Sequence, residues 1–193
     1  MYWVASGLHA NGEDVTIVST DVMLADNIPR NVWQSTEYGK VIFLKSKWDY
    51  LPANAIKIAM KELPKNDVVH LNSIFYPFSF IIGLMAIWYQ KKIVWSVRGE
   101  LDEKALVYNS FVKKKYLTIF KFLFIKRALF HVTAHEENTY TKAILGKHVN
   151  TVVIPNYFIL PKIVHATHHT YLSYIGRIHP VKAIENLILA CSK

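Results

Sequence analysis

Two basic residues near the end of the chain follow a short apolar run in a pattern typical of phosphate-binding turns. Residues 171–175 predict a strand, Gly176 allows the backbone to turn, and Arg177 comes directly after it. Pro180 leads into an amphipathic stretch, so Lys182 is expected in the first turn of a helix. Cationic side chains, exposed N–H groups and the positive end of a helix dipole would then converge. This combination predicts a pyrophosphate site; the alternative is an ordinary strand-turn-helix with solvated basic residues.

Six short β-branched or apolar runs alternate with spacers that have helical periodicity. This alternation predicts a Rossmann-like α/β fold, with a parallel sheet and helices on both faces. The predicted strands are 15–19, 41–44, 68–71, 93–96, 130–133 and 151–154. The predicted helices are 53–62, 81–90, 113–127 and 136–145, preceded by a first helix that ends at Asn11 and Gly12.

The domain organisation is predicted from the first and last elements. A doubly wound fold begins with a strand and a glycine-rich loop, but this sequence begins with the helix that should follow them, and it contains no GxGxxG or GxxxxGK motif. Residues 1–156 are therefore predicted to form a domain that lacks its first strand. Residues 157–170 predict an interdomain linker, and 171–193 the incomplete start of a second α/β domain.

Composition restricts the class of protein. The chain has 193 residues, 52% of them hydrophobic, which is typical of a globular protein with a buried core. Its single cysteine, Cys191, excludes an intramolecular disulfide, and no signal peptide is recognised, so a cytoplasmic location is expected. The net charge of +9 is uneven, because no acidic residue lies between Glu103 and Glu136. A basic region of this kind suits phosphate, nucleic acid or an anionic membrane surface.

Two apolar segments raise the question of membrane contact. Residues 74–89 carry no charge, but Pro77, Ser79 and Gly83 interrupt them, and a spanning helix needs about 20 apolar residues. A buried helix is favoured there. Residues 113–130 combine lysines with phenylalanines. They predict either a helix that docks on anionic lipid at the inner face of a membrane, or a helix packed on the sheet with its lysines reaching water. A nucleic-acid partner is not expected, because no nucleic-acid-binding motif occurs.

Several motifs together resemble one enzyme family. The segment GRIHPVKAIENLILA is similar to the G-R-x-x-x-x-K-G-x-x-x-L-I-x-A that opens the donor-binding domain of retaining GT-B-fold glycosyltransferases of family four, with Ala183 in place of the glycine. Weaker similarities follow the family's order: ANGEDVTIVST resembles G-H-E-V-T-V-V-T, DVVHLNSIF resembles D-V-V-H-x-H-S, and TVVIPNYF resembles V-x-V-I-P-N-G-V. The segment IVWSVRGELDEKAL resembles the S-P-R-G-x-L of a bacterial polysaccharide-type subset.

The resemblance implies transfer of a sugar from a nucleotide-sugar donor to a saccharide or lipid-linked acceptor, with retention. It implies that Gly176, Arg177 and Lys182 bind the donor diphosphate, without a metal or other cofactor. No catalytic residue is assigned, because the family's pair of glutamates would come after the end of this sequence. The fragment alone is therefore expected to be inactive.

Five further residues are candidates for the substrate cleft. Arg98, Gly99 and Glu100 match the family's loop that faces the donor sugar, and His70 and Asn72 end a predicted strand at the ligand edge of the sheet. Simpler roles are an ion pair between Arg98 and an adjacent carboxylate, and local hydrogen bonding of His70. The rival to the enzyme is a non-catalytic domain that binds membranes or polyanions, for which residues 113–130 are the main evidence.

Overall fold

The computed structural model describes residues 2–102, 110–156, 172–176, 178 and 183–192. The chain divides into two units, Met1–Phe158 and Ile159–Lys193. The helices of the first unit are α1 (Tyr2–Ala10), α2 (Ala53–Glu62), α3 (Pro77–Trp88), α4 (Ser110–Phe124) and α5 (His135–Leu145). Its strands are β1 (Thr16–Thr20), β2 (Trp33–Thr36), β3 (Gly39–Leu44), β4 (Val68–Asn72), β5 (Lys92–Ser96), β6 (Ala128–Val132) and β7 (Thr151–Val153).

The first unit is an α/β structure built on a parallel four-stranded sheet. Its strands lie in the order β4-β5-β6-β7, and each neighbouring pair is parallel. The central strands β5 and β6 are largely buried because helices flank the sheet, which explains why their sequences are almost continuously apolar. Parallel strands end at one edge, so the segments that follow β4, β5 and β6 meet there.

The remaining strands form a separate three-stranded sheet in the order β1-β3-β2. Strand β2 was not predicted, and it runs antiparallel to β3, so the expectation of an all-parallel sheet was wrong at this edge. Its short sequence, WQST, lacks the apolar run by which the other strands were recognised. The hairpin needs Gly39, because φ there is +110° and an added Cβ would lie 2.4 Å from the Val15 carbonyl oxygen.

An aromatic core joins α3 and α4 to the four-stranded sheet. Trp95, Phe120 and Phe124 are fully buried, and the Trp95 ring lies 4.8 Å from both phenylalanine rings, edge to face. Gly83 lets α3 approach closely, since an added Cβ would lie 2.9 Å from atoms of both Trp95 and Phe124. Helix α4 therefore does pack on the sheet through one of its faces.

Helix α3 begins earlier than the sequence predicted. It starts at Pro77 rather than near Ile81, because proline is well tolerated in the first turn, where its missing N–H has no partner to lose. Across the residues that the structure describes, the helices are all too short or too polar to cross a membrane.

The second unit contains α6 (Ile184–Cys191). The predicted strand at 171–175 is not formed over its described residues, because Leu172 to Ile175 pair with no other strand. Ala183 precedes α6 in the left-handed conformation, with φ +45°, at the position where the resembling family has glycine. Of the predicted donor-binding residues, Gly176 is exposed, and Arg177 and Lys182 lie outside the described residues.

Candidate functional site

The loop after β5 has an unusual backbone at the carboxyl edge of the four-stranded sheet. Arg98 and Gly99 both adopt positive φ angles, +56° and +73°. A left-handed conformation is costly for a residue with a branched or long side chain, so it persists only where surrounding contacts fix it. The Gly99 N–H donates to Glu137, which lies in the first turn of α5. The loop that presents Arg98 is thus held by a side chain from a different β-α unit.

Glu137 connects this loop to the end of β6. Its side chain is buried, with 7% exposure. One carboxylate oxygen accepts the Gly99 N–H, and the other accepts the Thr133 N–H at 2.5 Å and the Thr133 hydroxyl at 2.8 Å. A buried carboxylate is tolerated where N–H and O–H donors surround it, and the positive end of the α5 dipole favours it further.

Glu100 fixes the loop after β4. Its carboxylate accepts the Ser73 hydroxyl at 2.6 Å and the Ile74 N–H at 2.5 Å, and Ser73 has a φ of +67°. Both oxygens are therefore engaged by the chain itself. Glu100 lies in the same loop as Arg98 and Gly99, with its carboxylate turned to the backbone of residues 73–75.

A hydrogen-bonded chain of side chains crosses strands β4, β5 and β6. His70 Nε2 lies 2.7 Å from Ser96 Oγ, which lies 2.8 Å from His131 Nδ1, and His131 Nε2 lies 2.9 Å from the carbonyl oxygen of Ile154. Only an N–H can bond that carbonyl, so His131 carries its proton on Nε2 and accepts from the Ser96 hydroxyl. Ser96 in turn accepts from His70 Nε2–H. The direction of donation, from His70 toward Ser96, from Ser96 toward His131 and from His131 toward Ile154, is therefore fixed in all three hydrogen bonds.

Burial keeps His70 neutral. The pKa of His70 falls from 6.5 to about 4, first because burial penalises the charged imidazole, and then because a proton on His70 would be repelled by the nearby His131 imidazole and Arg98 guanidinium. The unfolded chain therefore binds a proton at His70 as the pH falls below 6.5, whereas the native state takes one only near pH 4. The free energy of unfolding is expected to fall as the pH drops through this window.

We expect His70→Gln to reduce this pH dependence. Glutamine keeps an N–H donor for Ser96 but does not titrate, so the stability lost between pH 6.5 and 4 should shrink by roughly 2 to 3 kcal/mol. Urea unfolding at several pH values measures the slope. His148→Gln, at an exposed position, is the matched control and should retain the parental slope. Equal slopes for the parent and His70→Gln would contradict the prediction.

Arg98 and His131 line one cavity of about 430 Å³ at the carboxyl edge of the sheet. Arg98 Nη1 donates to Asn156 Oδ1 at 2.9 Å, so the cation is oriented by the segment that follows β7. The remaining walls come from α1, including Trp3, and from Ile154. A guanidinium, an amide and an imidazole around an apolar wall can bind anions or sugar hydroxyls.

Comparison with protein-family models, curated proteins and solved structures gave no match to this chain. Among the described residues, no three His, Cys, Asp or Glu side chains are grouped so that they could hold a metal ion.

The predicted cleft residues are divided between two places. Arg98, Gly99 and Glu100 share the loop after β5, whereas His70 and Asn72 line a second cavity, of about 350 Å³, between β1 and β4. Hydrogen bonds through Ser96 and His131 connect His70 to the first cavity, which His131 lines.

Sequence reasoning missed Ser96, His131 and Glu137. The signal for Ser96 and His131 was their position at the ends of two predicted strands, in line with His70. For Glu137 the available signal was misleading: the Thr-x-x-Glu spacing typical of a capping box points from Thr133 to Glu136, but the structure uses the next residue.

Proposed function

We propose that this chain is the acceptor-side domain, with the start of the donor-binding domain, of a retaining nucleotide-sugar-dependent glycosyltransferase of GT-B fold. The ordered series of family-like motifs supports the proposal, and so does the parallel α/β sheet. The observation that carries it is the loop after β5: Arg98 and Gly99 are held in left-handed conformations by Glu137 at the edge of the sheet where α/β proteins bind ligands.

In this proposal Arg98 is a binding residue. A guanidinium remains protonated at every physiological pH, so it cannot act as a general base, but it can hold a sugar hydroxyl or an anionic group. His131 lines the same cavity, with its Nε2–H already donated to Ile154. The acceptor is a saccharide or a lipid-linked saccharide, and the reaction belongs to the assembly of bacterial surface polysaccharides in the cytoplasm.

Donor activation is assigned to the basic residues of the second domain. When the nucleoside diphosphate leaves, negative charge grows on its oxygens, and Arg177 and Lys182 would stabilise that charge without a metal ion. In the sequence these two residues lie between the exposed Gly176 and α6.

The test uses the natural protein that contains this sequence. Arg177→Ala and Lys182→Ala are each expected to lower kcat/KM for nucleotide-sugar turnover by about 100-fold, because each removes a cation from the developing charge. Turnover is measured as release of nucleoside diphosphate. Lys65→Ala is the matched control, since Lys65 is an exposed lysine paired with Glu62 at 2.8 Å. Full activity in both variants would overturn the donor-site assignment.

A second candidate function, docking on an anionic membrane, is favoured by the outer face of α4. Leu117, Phe120 and Phe124 are buried against the sheet, but Phe122 is 84% exposed and Ile119 56% exposed. Also exposed on this helix or just after it are Phe111, Lys114, Lys115 and Lys126. A face that mixes exposed aromatic and cationic side chains is typical of helices that lie at a lipid interface. Such docking suits an enzyme with a lipid-linked acceptor, and it also suits a non-catalytic domain.

Vesicle sedimentation tests the docking. The chain is expected to bind vesicles that contain phosphatidylserine, and 0.5 M salt is expected to release it, since the Debye length at that strength is only about 4 Å. Phe122→Ser should weaken binding several-fold, because it removes an aromatic side chain from the interface. Trp88→Ser is the control, since Trp88 is 79% exposed on a different helix. Equal weakening by both variants would contradict docking through α4. Vesicle binding without nucleotide-sugar affinity in the natural protein would favour the non-catalytic domain.

A further inference from the structure

Two cavities of the first unit are connected by a line of hydrogen-bonding side chains. Arg98 and His131 line the first cavity, of about 430 Å³, and His70 lines the second, of about 350 Å³. Ser96 is fully buried and lies 2.7 Å from His70 Nε2 and 2.8 Å from His131 Nδ1. The sheet therefore contains a continuous path along which a proton can pass from one cavity to the other.

The direction of donation along this path can reverse without the loss of a hydrogen bond. In the structure, His70 donates to Ser96, and Ser96 donates to His131. When a proton binds to Nδ1 of His70, the Nε2 proton of His70 can pass to Ser96, and the hydroxyl proton of Ser96 can pass to Nδ1 of His131. The positive charge then lies on His131, whose Nε2–H still donates to the Ile154 carbonyl. Both N–H groups of the charged imidazole thus have acceptors.

The surroundings of His70 suit the entry of a proton but not its retention. The pKa of His70 is lowered to about 4, mainly by burial, so the residue is neutral at pH 7. Its side chain is only partly buried, and among the described residues its hydrogen bond to the protein is the one to Ser96. A cavity of this volume with polar walls holds water molecules, which can deliver a proton to Nδ1.

The first cavity is suited to an anion. Of its lining residues that the structure describes, Arg98 carries a charge and none is Asp or Glu. Nη1 of Arg98 donates to Asn156 at 2.9 Å, which orients the guanidinium, and Asn11 adds a second amide to the lining. A dianion beside Arg98 would stabilise a positive charge on His131, since opposite charges attract more strongly in a partly buried site than in water.

The carboxylates packed around the path are already engaged. Glu137 of α5 is buried, and backbone and hydroxyl donors bind both of its oxygens. At the second cavity, Glu62 pairs with Lys65 at 2.8 Å, and Tyr76 is a further titratable residue of the lining. Helix α1 contributes residues that do not titrate: Trp3, Val4, Gly7, Leu8 and Asn11. A bound anion would therefore bring new negative charge to His131.

We propose that the first cavity binds a phosphate-like dianion and takes up one proton as it does so, with the proton entering at His70 and the positive charge residing on His131. His131 acts through its charge, because both of its N–H groups are donated within the protein. The ligand is a molecule that carries a phosphate group, either a phosphorylated saccharide or the headgroup of a lipid-linked one. This proposal rests on the binding role of Arg98 in the proposed function and does not involve the donor site.

Sulfate is the probe, because it is a dianion that does not titrate near neutral pH. The natural protein that contains this sequence is used with Arg177→Ala and Lys182→Ala, so that these two cations do not bind sulfate. Calorimetric titration in buffers of different ionisation enthalpy is expected to show uptake of about one proton per sulfate at pH 7. Because a proton binds together with the anion, the dissociation constant should rise by up to about tenfold between pH 7 and pH 8.

Nitrogen NMR of the imidazole rings follows the path itself. Without sulfate, His70 and His131 are both expected to be protonated on Nε2 alone. With sulfate bound, His131 should be protonated on both nitrogens, and His70 on Nδ1 alone. A ligand that only occupied the first cavity would leave the tautomer of His70 unchanged, so this change is specific to the proposed path.

His131→Gln should abolish the proton uptake and weaken sulfate binding about tenfold at pH 7, because glutamine cannot become charged. His148→Gln, at an exposed position, is the matched control and should change neither quantity. Competition with bound sulfate then distinguishes the two sources of phosphate. Stronger displacement by glucose 1-phosphate would indicate a phosphorylated saccharide, and stronger displacement by farnesyl phosphate would indicate a lipid headgroup.

Three results would overturn the proposal. The first is that sulfate fails to bind, or binds without proton uptake. The second is that His70 stays protonated on Nε2 when sulfate is bound. The third is that neither phosphate compound displaces sulfate. None of these results would affect the test of the donor site, which is measured as release of nucleoside diphosphate in the Arg177 and Lys182 variants.

Discussion

Glu137→Ala is expected to lower the free energy of unfolding by about 3 kcal/mol, because it leaves buried donors without an acceptor. The carboxylate accepts from the Gly99 N–H, the Thr133 N–H and the Thr133 hydroxyl. Hydrogen bonds to a charged acceptor are stronger than neutral ones, and alanine replaces none of them. The loss should also release the left-handed turn at Arg98, since the Glu137 carboxylate is the acceptor that holds the Gly99 N–H. Urea denaturation measures the stability change.

Glu136→Ala is the matched control for this effect. Glu136 lies in the same first turn of α5 and is exposed, so its removal costs the same interaction with the helix dipole but no buried hydrogen bond. Its expected cost is within about 0.5 kcal/mol. Amide exchange at Gly99 should accelerate in Glu137→Ala and not in Glu136→Ala. A similar loss of stability in both variants would mean that the carboxylate stabilises the fold only through the helix dipole, and not through its buried hydrogen bonds.

The strands of the parallel sheet could be predicted from sequence because they form short apolar runs, which are largely buried in the central strands β5 and β6. Their apolar runs gave β4, β5 and β6 to within two residues at each end, and α2 was predicted at its observed bounds. Strand β2 could not be found in this way, since its stability comes from pairing with β3 and from the turn at Gly39 rather than from an apolar run. The strand at 171–175 was predicted from composition, but a single strand has no partner for its backbone groups.

The candidate site was predictable only in outline. The topology of parallel strands placed Arg98 and Gly99 at the ligand edge, because they follow an apolar strand. What the sequence could not indicate is how the loop is held. Glu137 lies 38 positions away from its Gly99 partner, and the contact depends on the register between β5 and β6. The chain from His70 to His131 likewise depends on three strands lying side by side. Such long-range hydrogen bonds leave no local pattern.

Trp95→Ala is expected to lower the free energy of unfolding by about 4 kcal/mol, because a large cavity would open in the aromatic core. The Trp95 ring is fully buried against Phe120 and Phe124, and its Nε1–H donates to the Ser73 carbonyl at 3.0 Å. The loss therefore also frees the loop after β4.

Two further variants separate these contributions. Trp95→Phe removes the hydrogen bond but keeps most of the packing, so it should cost less than half as much. Trp88→Ala, at a 79% exposed position on α3, should change stability by no more than about 0.5 kcal/mol. If Trp95→Ala cost no more than Trp88→Ala, α3 and α4 would not pack on the sheet through this ring. In that case the loop after β4, and the Glu100 carboxylate that binds it, would need another support. A full loss in Trp95→Ala with an intermediate loss in Trp95→Phe would instead show that core packing and the Ser73 hydrogen bond jointly fix the edge of the sheet that carries the site.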